Sequence, residues 1–326
     1  MASIPALLSR LKPDPFTLSL LGTVGIATVL PCSGRTAEVF GDVTALAIGL
    51  LFFLHGAKLP RDAIVAGITH WRLHLTVLCL TFVLFPVLGL LMQPLALRML
   101  TPELYLGMLF LCMLPSTVQS SIAFTSMARG NVAAAVCSAS ASNFIGIFVT
   151  PLLVSAFVLQ GAAGGRSTIE AVGAIVVQLL LPFIAGQLLR GRIGAWVDRH
   201  KPVLKLVDQG AILLVVYGAF SAAVTEGIWS RLGLASLAAL CLLCCALLAI
   251  VLGLAAWVSR RLGFPREDAI AIVFCGSKKS LASGVPMAKV LFATSSLGMV
   301  ILPLMLFHQI QLMACALLAQ RMRDDQ

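Results

Sequence analysis

Two lysines stand side by side inside an apolar stretch, Phe274-Cys275-Gly276-Ser277-Lys278-Lys279-Ser280-Leu281-Ala282-Ser283-Gly284-Val285-Pro286. The flanks, 269–275 and 285–292, read as membrane helix, and each is too short to cross alone. A charge at bilayer depth costs about 3 kcal/mol on insertion scales unless it faces a polar cavity or finds partners. Gly276, Ser277 and Ser280 are weak helix formers, so the backbone can open beside the charges. A charged, interrupted helix in a membrane is where transporters place binding sites. The competing reading is a loop between two short helices from which both lysines snorkel. The short flanks favour the broken helix.

The rest of the chain sets this stretch in a membrane. Apolar residues make up 60% and charged residues 11%, with a mean hydropathy of +1.02. A soluble domain carries roughly 25% charged residues, so the fold class is an all-α polytopic membrane protein. Of the nine cysteines only Cys32 is loop-like, which argues against a disulfide framework. Cys241, Cys244 and Cys245 imitate a metal spacing, but with no His or acid near them they read as packing residues. Residues 1–15 lack a cleavable signal pattern, because Arg10, Lys12 and prolines interrupt it. The first helix is expected to stay as an anchor.

Apolar runs long enough to cross about 30 Å fall near 15–31, 41–57, 73–94, 104–128, 131–158, 168–189, 207–225, 232–258, 268–293 and 296–320. The expectation is ten crossings. The basic run 190–205, with Trp196 among its apolar residues, reads as an interfacial helix. Arg35, Arg98, Arg166, Arg231 and Lys289 fall on one side of the membrane. Lys278 and Lys279 lie within it, and the other sixteen of the 23 Lys+Arg lie on the side of the N-terminus. That bias puts both termini in the cytoplasm of a cell membrane. The net charge of +10 is then a topology signal, and no nucleic-acid partner is called for.

Residues 161–167 are the most linker-like stretch and leave five spans on either side, 1–160 and 168–326. An odd number of spans per half inserts the second half upside down, as an inverted repeat. Asp42 and Asp208 open spans 2 and 7, and Asn143 and His308 sit in spans 5 and 10. Spans 4 and 9 give the stronger echo. Pro115 is followed by Ser116, Thr117, Gln119, Ser120 and Ser121, while span 9 carries Gly276 to Ser280 and then Pro286. Proline removes a backbone donor and disturbs the helix before it. Interrupted helices in matching places are the best sequence pointer to a transport site. A proline kink packed by hydroxyls explains span 4 alone, and explains both less well.

All 13 acidic residues lie outside span centres, so proton transfer through intramembrane carboxylates is disfavoured. Any Na⁺ must be held by neutral oxygens. The titratable groups at depth are Lys278, Lys279 and His308. His308 lies beside Gln309 and Gln311, and either lines the cavity or makes a helix–helix hydrogen bond. Ser138 and Ser140 read as small-residue packing. Asn143 is costlier to bury and reads as a site residue.

Residues 115–143, the turn Ala128-Arg129-Gly130-Asn131, the Gly276-Ser277-Lys278-Lys279-Ser280 block and Phe307-His308-Gln309-Ile310-Gln311 together resemble the bile acid:sodium symporter superfamily. The resemblance covers essentially the whole chain. It is narrower to the branch of bacterial symporter-like proteins and the seventh member of solute carrier family 10. It implies two inverted five-helix repeats, a panel of spans 1, 2, 6 and 7, and a core of spans 3–5 and 8–10 where spans 4 and 9 cross. It also implies one Na⁺ site from Gln119, Ser120 and Ser121 with Ser138, Ser142 or Asn143, the best set being Ser120, Ser121 and Asn143. The family's second Na⁺ site falls on Phe274 and Lys278. A phenyl ring cannot ligate Na⁺ and a lysine repels it, so that site is expected to be missing, with the Lys278 ammonium in place of the ion.

The function expected is secondary active transport of an organic, anionic solute, coupled to Na⁺ at one site. Its substrate and ion contacts would be Ser116, Thr117, Gln119, Ser120, Ser121, Ser138, Ser142, Asn143, Ser277, Lys278, Lys279, Ser280, His308, Gln309 and Gln311. The alternatives are a proton-coupled or uncoupled carrier using Lys278 or Lys279, and a non-transporting regulator of ion homeostasis. A Ser–Lys enzyme would need a third catalytic group, and none is visible. No organic cofactor is expected. The partners are the solute and the lipid bilayer, and both monomer and homodimer stay open.

Overall fold

The computed structural model describes residues 15–58, 70–159, 176–227, 232–292 and 294–324. The expected linker 161–167 lies outside the described residues. All regular structure among them is helical. The first described helices are α1 (Pro15–Val29) and α2 (Arg35–Lys58). Next comes α3 (Trp71–Leu91), which widens into one π turn at Leu80–Leu84, followed by α4 (Gln93–Met99). A pair of half-length helices follows, α5 (Pro102–Met113) and α6 (Gln119–Met127), and then α7 (Val132–Val154). Beyond residue 175 come a π turn at Val176–Leu180, α8 (Leu181–Arg199), α9 (Lys201–Thr225) and α10 (Leu234–Arg261). A second half-length pair, α11 (Arg266–Gly276) and α12 (Leu281–Leu291), precedes α13 (Thr294–Asp324).

Six helices among the described residues are long and apolar enough to cross a membrane: α2, α3, α7, α9, α10 and α13. Their outer faces are greasy. Leu46 is 77% exposed, Leu152 65% and Leu234 85%. Apolar surface on this scale is stable only against lipid. The chain is therefore a multi-pass membrane protein.

The helices pack as two groups. α2 lies along α8 and α9, and α1 along α9. The half-helix pairs α5/α6 and α11/α12 pack with α3, α7, α10 and α13. The first group meets the second where α9 touches α12 and α13. Glycine sets the closest approach within the first group. Gly56 of α2 lies against the Phe183 carbonyl of α8, and Gly186 of α8 lies against the Phe53 carbonyl of α2. A Cβ at either position would strike backbone, which cannot yield, so the helices touch main chain to main chain.

The basic run 190–205 corrects the sequence reading. It is no separate interfacial helix. α8 continues through Arg199, the chain turns at His200, and α9 begins at Lys201. The reason lies in the partners. Arg190 donates to the Ala57 carbonyl at the end of α2, and Asp198 lies 3.9 Å from Arg190 and 3.2 Å from Lys201. Part of this charge ties helix ends together.

Candidate functional site: two helix breaks that meet

The α5/α6 break begins where Leu114 turns extended (φ −77°, ψ 155°) just before Pro115. The α11/α12 break runs from Ser277 to Ser280, whose hydroxyl accepts from the Ser283 amide and caps α12. A broken helix leaves unpaired donors and acceptors at each new end. Here each break supplies the other. The Ser280 amide donates to the Pro115 carbonyl at 2.9 Å. The Ser116 hydroxyl donates to the Cys275 carbonyl at 2.6 Å, and the Ser121 hydroxyl to the Phe274 carbonyl at 3.1 Å. The last carbonyls of α11 are thus capped by serines of the other break.

Each break is also clamped by an amide side chain from the span that follows it. Asn143 of α7 donates to the Ser116 carbonyl at 3.0 Å and accepts from the Ser283 hydroxyl at 2.7 Å. Ser142 accepts from the Ser116 amide at 3.0 Å, and Thr150 donates to the Met113 carbonyl at 2.8 Å. On the other side, Gln311 of α13 holds Lys279 by its backbone. Its Nε2 donates to the Lys279 carbonyl and its Oε1 accepts from the Lys279 amide, both at 2.9 Å. His308 stands behind it, with Nδ1 2.9 Å from the Gln311 amide nitrogen.

Both lysines are fully buried, and among the described residues neither makes an ion pair with a carboxylate. They use different partners. The Lys278 ammonium donates to the Ser120 carbonyl at 3.1 Å and lies 3.6 Å from the Phe124 ring centroid, with Phe274 at 5.5 Å. The Lys279 ammonium donates to three carbonyls, Thr81 at 2.8 Å, Cys112 at 2.8 Å and Leu114 at 2.7 Å. The Phe85 ring centroid is 4.1 Å from it. Carbonyl dipoles and aromatic faces are what a desolvated cation needs when no anion is near. The ammonium partners are all main-chain carbonyls and rings, so no Ser–Lys dyad is formed.

The other anticipated residues divide. Ser116, Thr117, Ser120, Ser121, Ser142, Asn143, Ser280 and Gln311 join the lysines in one network. Thr117 and Ser120 hydroxyls are 2.5 Å apart, and Thr117 and Ser121 hydroxyls 3.3 Å apart. Ser277 is buried in the break itself. Gln119 is exposed at the start of α6. Ser138 leaves the cluster and pairs with His74 of α3 at 2.7 Å. Gln309 also leaves it, accepting from Thr17 of α1 at 2.8 Å. Neutral hydroxyl and amide oxygens are the donor type Na⁺ takes. Of the set Ser120, Ser121 and Asn143, the first two share the hydroxyl cluster. Asn143 sits one bond away, on the Ser116 carbonyl. The Lys278 ammonium on the Ser120 carbonyl is a like charge beside that set.

Sequence reasoning missed Thr81, Phe85 and Phe124. A signal for the first two exists in Thr81-Phe82-Val83-Leu84-Phe85-Pro86, where a mid-span proline strips carbonyls of their donors. Phe124 carried no signal, since a phenylalanine in a membrane helix is ordinary.

Known proteins resemble the whole chain. The profile of the SBF-like CPA transporter family matches residues 14–324. An uncharacterized protein of Pseudomonas aeruginosa is 65% identical over 320 residues, covering 97% of this chain and 96% of that protein. The Escherichia coli protein named "Putative symporter YfeH" is 57% identical over 308 residues, 94% of this chain and 92% of its own. Sodium/bile acid cotransporter 7-B of Xenopus laevis is 27% identical over 328 residues, 98% of this chain and 94% of its own.

Proposed function

The chain belongs to the SBF-like CPA transporter family, and from that premise we propose that it is a secondary active transporter of an organic anion, working by alternating access at the crossing of the two helix breaks. The observation that carries the reading is the direct contact of the breaks, Ser280 amide to Pro115 carbonyl, with two buried ammonium groups beside it. Opened backbone at membrane depth is tolerated where protein or a cavity surrounds it, and inverted-repeat transporters place their sites there.

The architecture proposed with it is ten crossings in two inverted five-helix repeats, 1–160 and 168–326, with both termini cytoplasmic in the cell membrane. The panel would be α1, α2, α8 and α9. The core would hold both broken helices. The two packing groups support this division. A cavity of about 70 Å³ between them is lined by Cys32, Phe40, Thr44, Val215 and Lys289. Lys289, on α12, gives that interface a cation suited to a carboxylate or sulfate. Coupling to one Na⁺ at the Thr117–Ser120–Ser121 hydroxyl cluster with Asn143 belongs to the same proposal. The sodium and bile acid in one relative's name support it.

The test is uptake into proteoliposomes, with taurocholate and short carboxylates as probes, under an inward Na⁺ gradient, an inward proton gradient or neither. The expected result is saturable uptake of one anion class, stimulated by Na⁺ and by unlabelled anion inside. Folded protein in sealed vesicles that moves none of these anions under any gradient would overturn the reading.

A further inference from the structure

Three carbonyl oxygens converge on the Lys279 ammonium, and each lacks its usual main-chain donor for a reason written in the sequence. In a regular helix the Thr81 carbonyl accepts from the amide four residues on. In the π turn of α3 the Phe85 amide goes to Leu80 instead. The next candidate donor, residue 86, is proline and has none. The Cys112 carbonyl would accept from the Ser116 amide, but that amide donates to the Ser142 hydroxyl, and residue 115 is again proline. The Leu114 carbonyl leaves α5 in extended geometry and so stands outside the helical ladder. Two of the three oxygens lie at the C-terminal end of α5, where the helix dipole places partial negative charge. The Phe85 ring closes the cage from the side.

Carbonyl oxygens turned inward around one point, with an aromatic face, make a monovalent-cation site. We propose that this cage, built from α3 and α5, is a cation site permanently filled by the ammonium of Lys279. This cage is distinct from the surroundings of Lys278, whose ammonium meets one carbonyl where that of Lys279 meets three. A tethered cation cannot exchange with either side of the membrane, so this site carries no coupling ion. Its role is to hold α3, α5 and the α11/α12 break as one body. The inference rests on the cage alone and survives if the protein proves not to move anions.

The test is thermal melting of the purified protein with n-propylammonium chloride, the fragment that Lys279→Ala removes, and with n-propanol as its neutral counterpart. Lys279→Ala is expected to lower the melting temperature by roughly 10 °C, the scale for stranding several buried polar groups in a chain this size. Propylammonium should restore most of that loss saturably, as a ligand of the folded state does. Wild type should not respond, because its cage is full. Lys279→Met fills the same space without charge. It should be destabilised about as much as the alanine variant and should ignore propylammonium. Restoration by propanol equal to that by propylammonium would overturn the proposal, since the site would then be an apolar slot. Lys279→Met as stable as wild type would also overturn it, and that measurement decides the matter if Lys279→Ala does not fold.

Discussion

The two helix breaks have matching designs and unlike chemistry. The α5/α6 break carries no charge. Its lining is proline, hydroxyls and free carbonyls, and Asn143 clamps it from α7. The α11/α12 break carries two ammonium groups, and Gln311 clamps it from α13. Carbonyls stranded by one break are what a cation of the other requires. Lys279 takes two at the end of α5, from Cys112 and Leu114, while Lys278 shares the Ser120 carbonyl in the first turn of α6. Repeated architecture with divided roles therefore solves two desolvation problems at once. Unpaired carbonyls and unpaired ammoniums would each cost several kcal/mol in an apolar interior.

The comparison is tested most severely at the two clamps. Gln311→Leu removes a donor and an acceptor from the buried peptide of Lys279 and should cost about 3 kcal/mol, on the scale of two stranded buried groups. Asn143→Leu strands the Ser116 carbonyl and frees the Ser283 hydroxyl, which can turn to another acceptor, so about 2 kcal/mol is expected. Denaturation of both variants checks the order. If Asn143→Leu proved the costlier, the charged break would not be the more dependent one.

Lys278→Met should cost less again, about 1–2 kcal/mol, because one carbonyl bond and the contacts with the Phe124 and Phe274 rings are lost. It also sharpens the comparison. Removing the like charge from the Ser120 carbonyl should let Na⁺ raise the melting temperature more than it does in wild type. A Na⁺ response unchanged in Lys278→Met would separate the lysine from the hydroxyl cluster. The smallest effect, under about 1 kcal/mol, is expected for Gln309→Leu, whose partner Thr17 lies away from the crossing. A loss as large as that of Gln311→Leu would mean that the α1–α13 contact matters as much as the breaks.

Much of this was legible in the sequence. Pro115 with its run of hydroxyls, and Gly276 to Ser280 with two lysines, located both interruptions, because weak helix formers and missing donors act locally. Asn143 was legible as a polar group too costly to bury idly, and Gln311 as a polar neighbour of His308. Their pairing was not, since it needs the register of α7 and α13 against the breaks. His308, Gln309 and Gln311 stood equal in the sequence. The rotation of α13 gives Gln311 the break, His308 the position behind it and Gln309 a partner on α1. The different partners of the two lysines were hidden for a similar reason. In a non-helical segment adjacent side chains diverge, and the carbonyl cage for Lys279 needs the packing of α3 against α5, which the proline at 86 alone does not announce. The basic run 190–205 misled because its charge looked like a headgroup-facing stripe, whereas Arg190 reaches the end of α2.

The most direct test of the central claim is water access to the crossing from each side of the membrane. Thr117→Cys, in a background with the nine native cysteines replaced, is labelled with a membrane-impermeant thiol reagent in right-side-out and in inside-out vesicles. Alternating access at the crossed breaks predicts labelling from both sides, with the solute shifting the balance between them. Labelling from one side only, with and without solute, would contradict the account.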